Sequence, residues 1–387
     1  MIVAGEASGD LHGGALAEAL FAQDPDLDIV GFGGGAMRAA GVDIRYDIEQ
    51  LGIVGLIEVL YRFNEVLEAY GIALKLLKER VQVLVLIDFP DFNLRLAKAA
   101  KGLGIAVVFY VSPQIWAWRP GRIKTIAERV DLMLVILPFE EEIYRQAGVA
   151  CEFVGHPLLD EFQKKGIDRK ASVAPQVSKP PILALLPGSR KREVSVLLPL
   201  MLSGAERLAR DFPGLQVLIP AAPSLPEALI AGLASASPLP VKILKGGVYE
   251  AFREADLALV ASGTATLQGA LAGTPMVVVY KVSWISYWIV RALIRVKAIS
   301  LANIIADAPF IPELIQAEVT PSRIAGELAR LLGDVGARES MRKGLREVAA
   351  RLGQAGASER AARAVLRVRD DRRKKEDAFS TAPGISA

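Results

Sequence analysis

The chain has 387 residues, more than the roughly 250–300 at which one hydrophobic core usually stops growing, so two domains are expected. A net charge of +3 gives no strong basic field for nucleic acid; the one cysteine, Cys151, excludes an internal disulfide and a thiolate zinc cluster, and two histidines, His12 and His156, are too few for a His-rich metal site. An apolar share of 52% and a mean hydropathy of +0.34 are high for a soluble enzyme and bring membrane contact into question.

The opening MIVAGEASGD lacks the basic start and long apolar run of a secretory signal. From there the first half alternates two kinds of block. Apolar runs at Ile29–Phe32, Val81–Ile87, Ile105–Val111 and Leu132–Leu137 read as strands buried on both faces of a parallel sheet. Between them, Asp10 to Ala22 reads as a helix, and Leu56, Leu60, Phe63, Leu67, Leu74 and Leu77 keep helical spacing along another. Such alternation predicts right-handed βαβ units.

The stretch 163–181 is polar, carries three prolines and reads as a linker. Strands then resume at Ile182–Leu186, Leu215–Ile219, Val241–Leu244, Leu257–Ala261 and Met276–Tyr280, which predicts a second α/β domain. The uncharged run from Leu257 to Tyr280 is long enough to span a membrane, but its Ser, Thr, Gly and Pro content predicts strand, turn, short helix and strand instead. From Arg338 the chain reads as helical. Beyond Asp370 it has little to bury and reads as disordered.

Candidate chemistry falls where strands end, which is where open α/β sheets bind ligands. Gly5-Glu6-Ala7-Ser8-Gly9-Asp10 makes a strand-to-helix turn in which Ser8 or Asp10 is expected to cap the helix, and a second glycine cluster follows at Gly31–Gly35. In the run from Ile87 to Asn93, Asp88 closes an apolar strand, where a carboxylate can act as general base, and Asp91 suits a helix cap. In the run from Tyr110 to Arg119, Gln114, Trp116, Trp118 and Arg119 suit sugar stacking or lipid contact, and the two tryptophans suit core packing equally well. Leu186-Pro187-Gly188-Ser189-Arg190 offers a glycine turn, a hydroxyl and a planar guanidinium for phosphate, with Glu193 placed to fix the turn or cap the helix. A second small-polar turn at Ser262, Gly263, Thr264, Ala265 and Thr266 suits the other half of a diphosphate cradle. In the run from Lys281 to Arg295, Trp284, Trp288, Arg291 and Arg295 share one face if helical, which suits a membrane headgroup zone or a core helix with snorkelling arginines. The segment from Arg338 to Asp377, with 13 Lys/Arg against 7 Asp/Glu, would add attraction to anionic lipid. No GxGxxG follows either domain's first strand, which disfavours a nicotinamide-dependent dehydrogenase.

The strings GEASGD, IDFPDFN, YVSPQIWAWR, FVGHP, LLPGSRKREV, ASGTATLQ and SLANIIA, in this order between about residues 3 and 316, closely resemble those of the lipid-A-disaccharide synthase family. The resemblance implies a GT-B architecture, with two Rossmann-like doubly wound parallel-sheet domains facing a cleft. The expected domains are 1–165, with helices at about 345–370 packing back on it, and 166–344, followed by the disordered tail 371–387. It implies inverting, metal-independent transfer without a cofactor, from UDP-2,3-diacylglucosamine to 2,3-diacylglucosamine 1-phosphate (lipid X), at the cytoplasmic side of the inner membrane. By motif, Asp88 matches the family's proposed general base, Arg190 an arginine important for UDP, Glu6 and Ser8 positions linked to activity, and Asn303 an asparagine near the cleft. Where relatives usually have glutamate after SGTATL, this chain has Gln268, which would lose the charge of a ribose contact but keep its hydrogen bonding. Met1 stands almost against IVAGE, so the first strand is expected to be short, or the start to lie upstream. The resemblance also admits a monomer or a dimer exchanging C-terminal segments. The rival readings are another GT-B UDP-sugar transferase with a lipid-linked acceptor, and a non-catalytic nucleotide-sugar-binding protein.

Overall fold

A computed structural model describes residues 1–48, 63–79, 81–166, 180–222, 225–283 and 298–381. The chain divides into two compact units, Met1–Phe162 with Leu352–Ala387, and Gln163–Arg351.

The first unit alternates strands and helices: β1 (Ile2–Ala4), α1 (Ala7–Gln23), β2 (Val30–Gly33), α2 (Gly35–Ala39), β3 (Asp43–Asp47), α3 (Phe63–Leu77), β4 (Val83–Ile87), α4 (Pro90–Gly102), β5 (Ala106–Tyr110), α5 (Arg122–Arg129), β6 (Leu132–Val135), α6 (Glu140–Gln146), β7 (Cys151–Phe153) and α7 (Leu158–Lys164). All seven strands are parallel, in the order β3-β2-β1-β4-β5-β6-β7. The central strands, VLVLI in β4 and AVVFY in β5, are buried at every position, as helices on both faces require. The edge strands β3 and β7 are short and partly exposed, so neither gives an apolar run in the sequence. Strand order reverses between β1 and β4, where Ala4 pairs with Ile87; the turns after these two strands flank a topological switch point.

The second unit contains β8 (Ile182–Leu186), α8 (Lys191–Leu208), β9 (Gln216–Ala221), α9 (Glu227–Ala234), β10 (Val241–Lys245), α10 (Val248–Glu254), β11 (Leu257–Ala261), α11 (Ala265–Ala272), β12 (Met276–Tyr280), α12 (Leu301–Ala306), β13 (Glu313–Ile315), α13 (Pro321–Gly333) and α14 (Val335–Arg351). Its six parallel strands run β10-β9-β8-β11-β12-β13, the order of the first six in the other sheet, with the reversal between β8 and β11. The uncharged run from Leu257 to Tyr280 is β11, α11 and β12, as its composition predicts. Among the described residues no helix is long and apolar enough to cross a membrane.

Two expectations about the C-terminus need correction. Helix α14 does not return to the first unit: it packs on α11, α12 and α13, and the Arg351 guanidinium donates to the Ile305 carbonyl at 2.7 Å. The return begins at Leu352, and α15 (Ala357–Thr381) lies along α1. Asp160 accepts from the amides of Ala357 and Ser358, each at 3.2 Å, and so caps α15; the Arg369–Asp24 pair at 2.6 Å fastens it further along. The helix also runs to Thr381, past the Asp370 at which disorder was expected. Residues 371–381 are mostly strong helix formers, and the first breaker is Pro383.

Candidate functional site

At the switch point of the first unit, the chain leaves β4 through two consecutive non-glycine residues in the left-handed region, Asp88 (φ 49°) and Phe89 (φ 45°). Such conformations cost energy and persist only where surroundings enforce them. Here Asn93, one turn into α4, enforces them: its side-chain amide donates to the carbonyls of Ile87 (3.2 Å) and Asp88 (2.7 Å). Phe89 lies against Gly5 of the neighbouring turn, so closely that a Cβ on Gly5 would meet the ring at 2.4 Å; only glycine fits. The GEASGD and IDFPDFN strings are therefore two halves of one packed corner. Asp88 is half-buried, and burial pushes its carboxyl above its ordinary value, opposed in part by the Phe89 amide. A carboxylate of raised basicity beyond the end of β4 is suited to accept a proton.

Glu6 and Ser8 are exposed at the start of α1, beside the turn that holds Asp88. Neither Ser8 nor Asp10 caps that helix: its N-cap position is Glu6, with no side-chain cap. Asp10 is buried and turned to the second glycine cluster, where its carboxylate accepts from the amides of Gly34 (2.6 Å), Ala36 (2.9 Å) and Met37 (3.1 Å). It caps α2 across space. His12, two residues further along α1, packs edge-on to Tyr110, ring centroids 6.3 Å apart, and burial lowers its basicity.

The loop after β5 opens on a third left-handed residue, the β-branched Val111 (φ 64°), and Arg119 near its end is a fourth (φ 57°). Gln114 is exposed on it. Trp116 is half-buried, its ring edge-on to Phe139 and its indole N–H donating to Glu140 at 3.0 Å. Glu140 also accepts from the Leu137 amide at 3.2 Å, and burial pushes its carboxyl up to about 7. One helical turn on, the Tyr144 hydroxyl meets that of Ser112 at 2.8 Å. Helix α6 thus anchors the loop at two points. Sequence reasoning missed both residues; LPFEEEIY looks like an ordinary acidic helix start, and only the buried contact of Glu140 sets it apart.

In the second unit, the turns after β8 and β11 flank the other switch point, with Leu186 paired to Val260. Gly188 takes φ 107°, and a Cβ there would meet the Glu193 carboxylate at 2.1 Å. That carboxylate lies over the turn and takes the backbone amides of Ser189 and Arg190, while burial raises its basicity. Those two amides are therefore engaged within the turn. The side chains of Ser189 and Arg190 remain at the exposed rim, with Tyr280 nearby at the end of β12.

In the turn after β11, Gly263 has φ 148° and Thr264 is exposed ahead of Ala265, the first residue of α11. Ser262 donates to the Ile299 carbonyl at 2.7 Å, and the buried Thr266 donates to Gly263 at 2.8 Å, so Thr266 shapes the turn and does not line it. Gln268 donates to the Tyr249 hydroxyl at 3.3 Å, and the Tyr249 ring carries the Lys165 ammonium at 4.6 Å.

Asn303, expected near the cleft, is only 1% exposed. Its amide nitrogen donates to the Ile311 carbonyl (2.9 Å) and Glu313 (2.8 Å), and its oxygen accepts from the Ile311 amide (3.0 Å). With its polar atoms so used it staples α12 to β13 and presents none of them to a ligand. Trp284, Trp288, Arg291 and Arg295 lie outside the described residues. Among the described residues no group of three or more His, Cys, Asp or Glu could hold a metal ion.

Paired six- and seven-stranded parallel sheets, each with its ligand-type turns at a switch point, define the GT-B class of glycosyltransferases and their relatives. Solved structures agree on that fold: a putative UDP-N-acetylglucosamine 2-epimerase from Listeria monocytogenes (TM-score 0.63, 11% identity, 96% of each chain) and MurG from Acinetobacter baumannii (TM-score 0.57, 17% identity, 95% of this chain and 98% of that one). Residues 1–368 match the family model described as lipid-A-disaccharide synthetase, and the chain belongs to that family. It is 44% identical over 368 residues to the lipid-A-disaccharide synthase of Myxococcus xanthus, covering 95% of this chain and 96% of the relative. To that of Syntrophus aciditrophicus it is 46% identical over 369 residues, covering 94% and 95%.

Proposed function

We propose that the protein condenses UDP-2,3-diacylglucosamine with 2,3-diacylglucosamine 1-phosphate, giving the β-1,6-linked lipid A disaccharide 1-phosphate and UDP with inversion at the donor's anomeric carbon. Asp88 takes the proton of the acceptor hydroxyl as its oxygen bonds to that carbon. The bond from the carbon to the diphosphate oxygen breaks, and UDP leaves with the electron pair. A sugar hydroxyl is a poor nucleophile without a base, and UDP leaves more readily when its growing charge meets a cation and oriented amides. Arg190 supplies the cation, with the turn at Ser262–Ala265 beside it at the second switch point. Because the Ser189 and Arg190 amides are held by Glu193, that role falls to the Arg190 guanidinium and the Gly263 turn. Glu6 and Ser8 belong with Asp88 to the catalytic set, Gln114 and Trp116 contact the acceptor, and Gln268 and Ser189 serve the donor. The single observation that carries this reading is Asp88, held in a strained backbone conformation with its basicity raised by burial.

Both substrates carry acyl chains, so we place the reaction at the cytoplasmic surface of the inner membrane, on a monomer or a dimer exchanging C-terminal segments. Trp284, Trp288, Arg291 and Arg295 would contact lipid there. Purified protein with both acylated substrates should give a disaccharide 1-phosphate by mass spectrometry. Product only with a lipid-linked muramyl acceptor would move the assignment to another UDP-sugar transferase, and UDP binding without turnover would make the protein a nucleotide-sugar binder.

A further inference from the structure

One charged cluster in the first unit is used neither by the fold's core nor by the roles above. Trp118 is half-buried, and two guanidiniums lie against its ring, that of Arg119 at 4.6 Å and that of Arg122 at 5.6 Å from the centroid. Both are drawn to one carboxylate, Asp91: Arg122 hydrogen-bonds to it, and Arg119 stands 3.5 Å away. Two guanidiniums against one carboxylate leave an excess positive charge. The Arg122 side chain is 14% exposed, whereas the carboxylate that pairs with it is 62% exposed. Solvent-facing ion pairs of this kind add little stability. Yet Arg119 is held in the left-handed region to reach the cluster (φ 57°), a conformation that costs about 1–3 kcal/mol. Strain that returns so little stability points to a ligand.

The cluster's place indicates which ligand. Asp91 is in the first turn of α4, three residues beyond Asp88, and the loop carrying Trp118 and Arg119 leaves β5, the direct neighbour of β4. We propose that Arg119 and Arg122, oriented by the Trp118 ring, bind the phosphate of the acceptor, and that this contact selects a sugar phosphate over the free sugar. The proposal rests on the reaction assigned above. In that acceptor the attacking hydroxyl and the phosphate lie on opposite sides of one sugar ring, and Asp88 and Asp91, the carboxylate that holds the cluster, stand three residues apart across the start of α4. Planar guanidiniums suit a phosphate because they offer paired donors, and stacking on an aromatic ring fixes their orientation. Asp91 holds the fork open until the phosphate replaces it.

The test is the ratio of kcat/KM for 2,3-diacylglucosamine 1-phosphate to that for 2,3-diacylglucosamine, in the wild type, R119A and R122K. The wild type should favour the phosphorylated acceptor, and each variant should lower the ratio about tenfold or more, the worth of one charge-assisted hydrogen bond. R122K keeps the charge but loses the fork, and R119A removes an exposed side chain; losses from impaired folding cancel in the ratio. A wild-type ratio near one, or variants that keep the wild-type ratio, would overturn the proposal. Failure of the underlying reaction is distinct: the wild type would then form no disaccharide from either acceptor, whereas failure of the proposal leaves turnover with an unchanged ratio.

Discussion

The two units share a strand order and a switch point but furnish them differently. The first builds its corner from residues forced into left-handed backbone, Asp88 and Phe89, pinned by Asn93 and by packing on Gly5. The second uses glycines where the backbone must turn, Gly188 and Gly263, and keeps an arginine and small hydroxyls at the rim. A half-buried carboxyl on strained backbone in one unit and a glycine turn with an exposed arginine in the other teach that the fold supplies only the location. What a switch point does is decided by the few residues after each strand.

That contrast can be broken or sharpened in order of effect. The largest should come from D88N, which removes the base without altering shape: kcat should fall by about 10²–10⁴ in a steady-state assay, while thermal melting stays near wild type. Near wild-type turnover would leave the strained corner without a chemical purpose. Next is the buried anchor of the loop after β5. The Glu140 carboxyl titrates at about 7 in the fold against an ordinary 4.5. The folded state therefore keeps a proton that the unfolded chain releases, and stability falls as pH rises from about 4.5 to about 7. The loss is on the order of 3 kcal/mol, complete above that window and absent below it. Subtracting the pH–stability curve of E140Q from that of the wild type should isolate this slope, and parallel curves would refute it. Smaller still is G188A, in which a Cβ meets Glu193 on a backbone that L-residues rarely adopt; a loss of about 1–3 kcal/mol in urea unfolding is expected. A neutral outcome would mean that the relaxed turn of the second unit does not depend on its glycine.

Much of this was legible in the sequence. Apolar runs without alternation marked the central strands, and the motif strings marked the turns that follow them. The edge strands β3, β7 and β13 were not legible, because three to five partly polar residues carry no periodic signal. Within the site, Asp88 and Arg190 could be singled out by place and type, but the partners of Asp10, Asn303 and Glu140 could not. Asp10 caps a helix 24 to 27 positions away, Asn303 spends its amide on residues 8 and 10 positions on, and Glu140 reaches back 24 positions to Trp116. Spacing along the chain says nothing about such closures. Nor does composition announce a left-handed valine, since the expected signal for that conformation is glycine.

The division of labour between the two corners is tested most directly by calorimetric titration of UDP into a matched pair, D88N and R190A. If the first corner does chemistry and the second holds the nucleotide, D88N should bind UDP within about twofold of the wild type, and R190A at least about tenfold more weakly, the worth of one charge-assisted hydrogen bond. Weakened binding in D88N with wild-type affinity in R190A would contradict it.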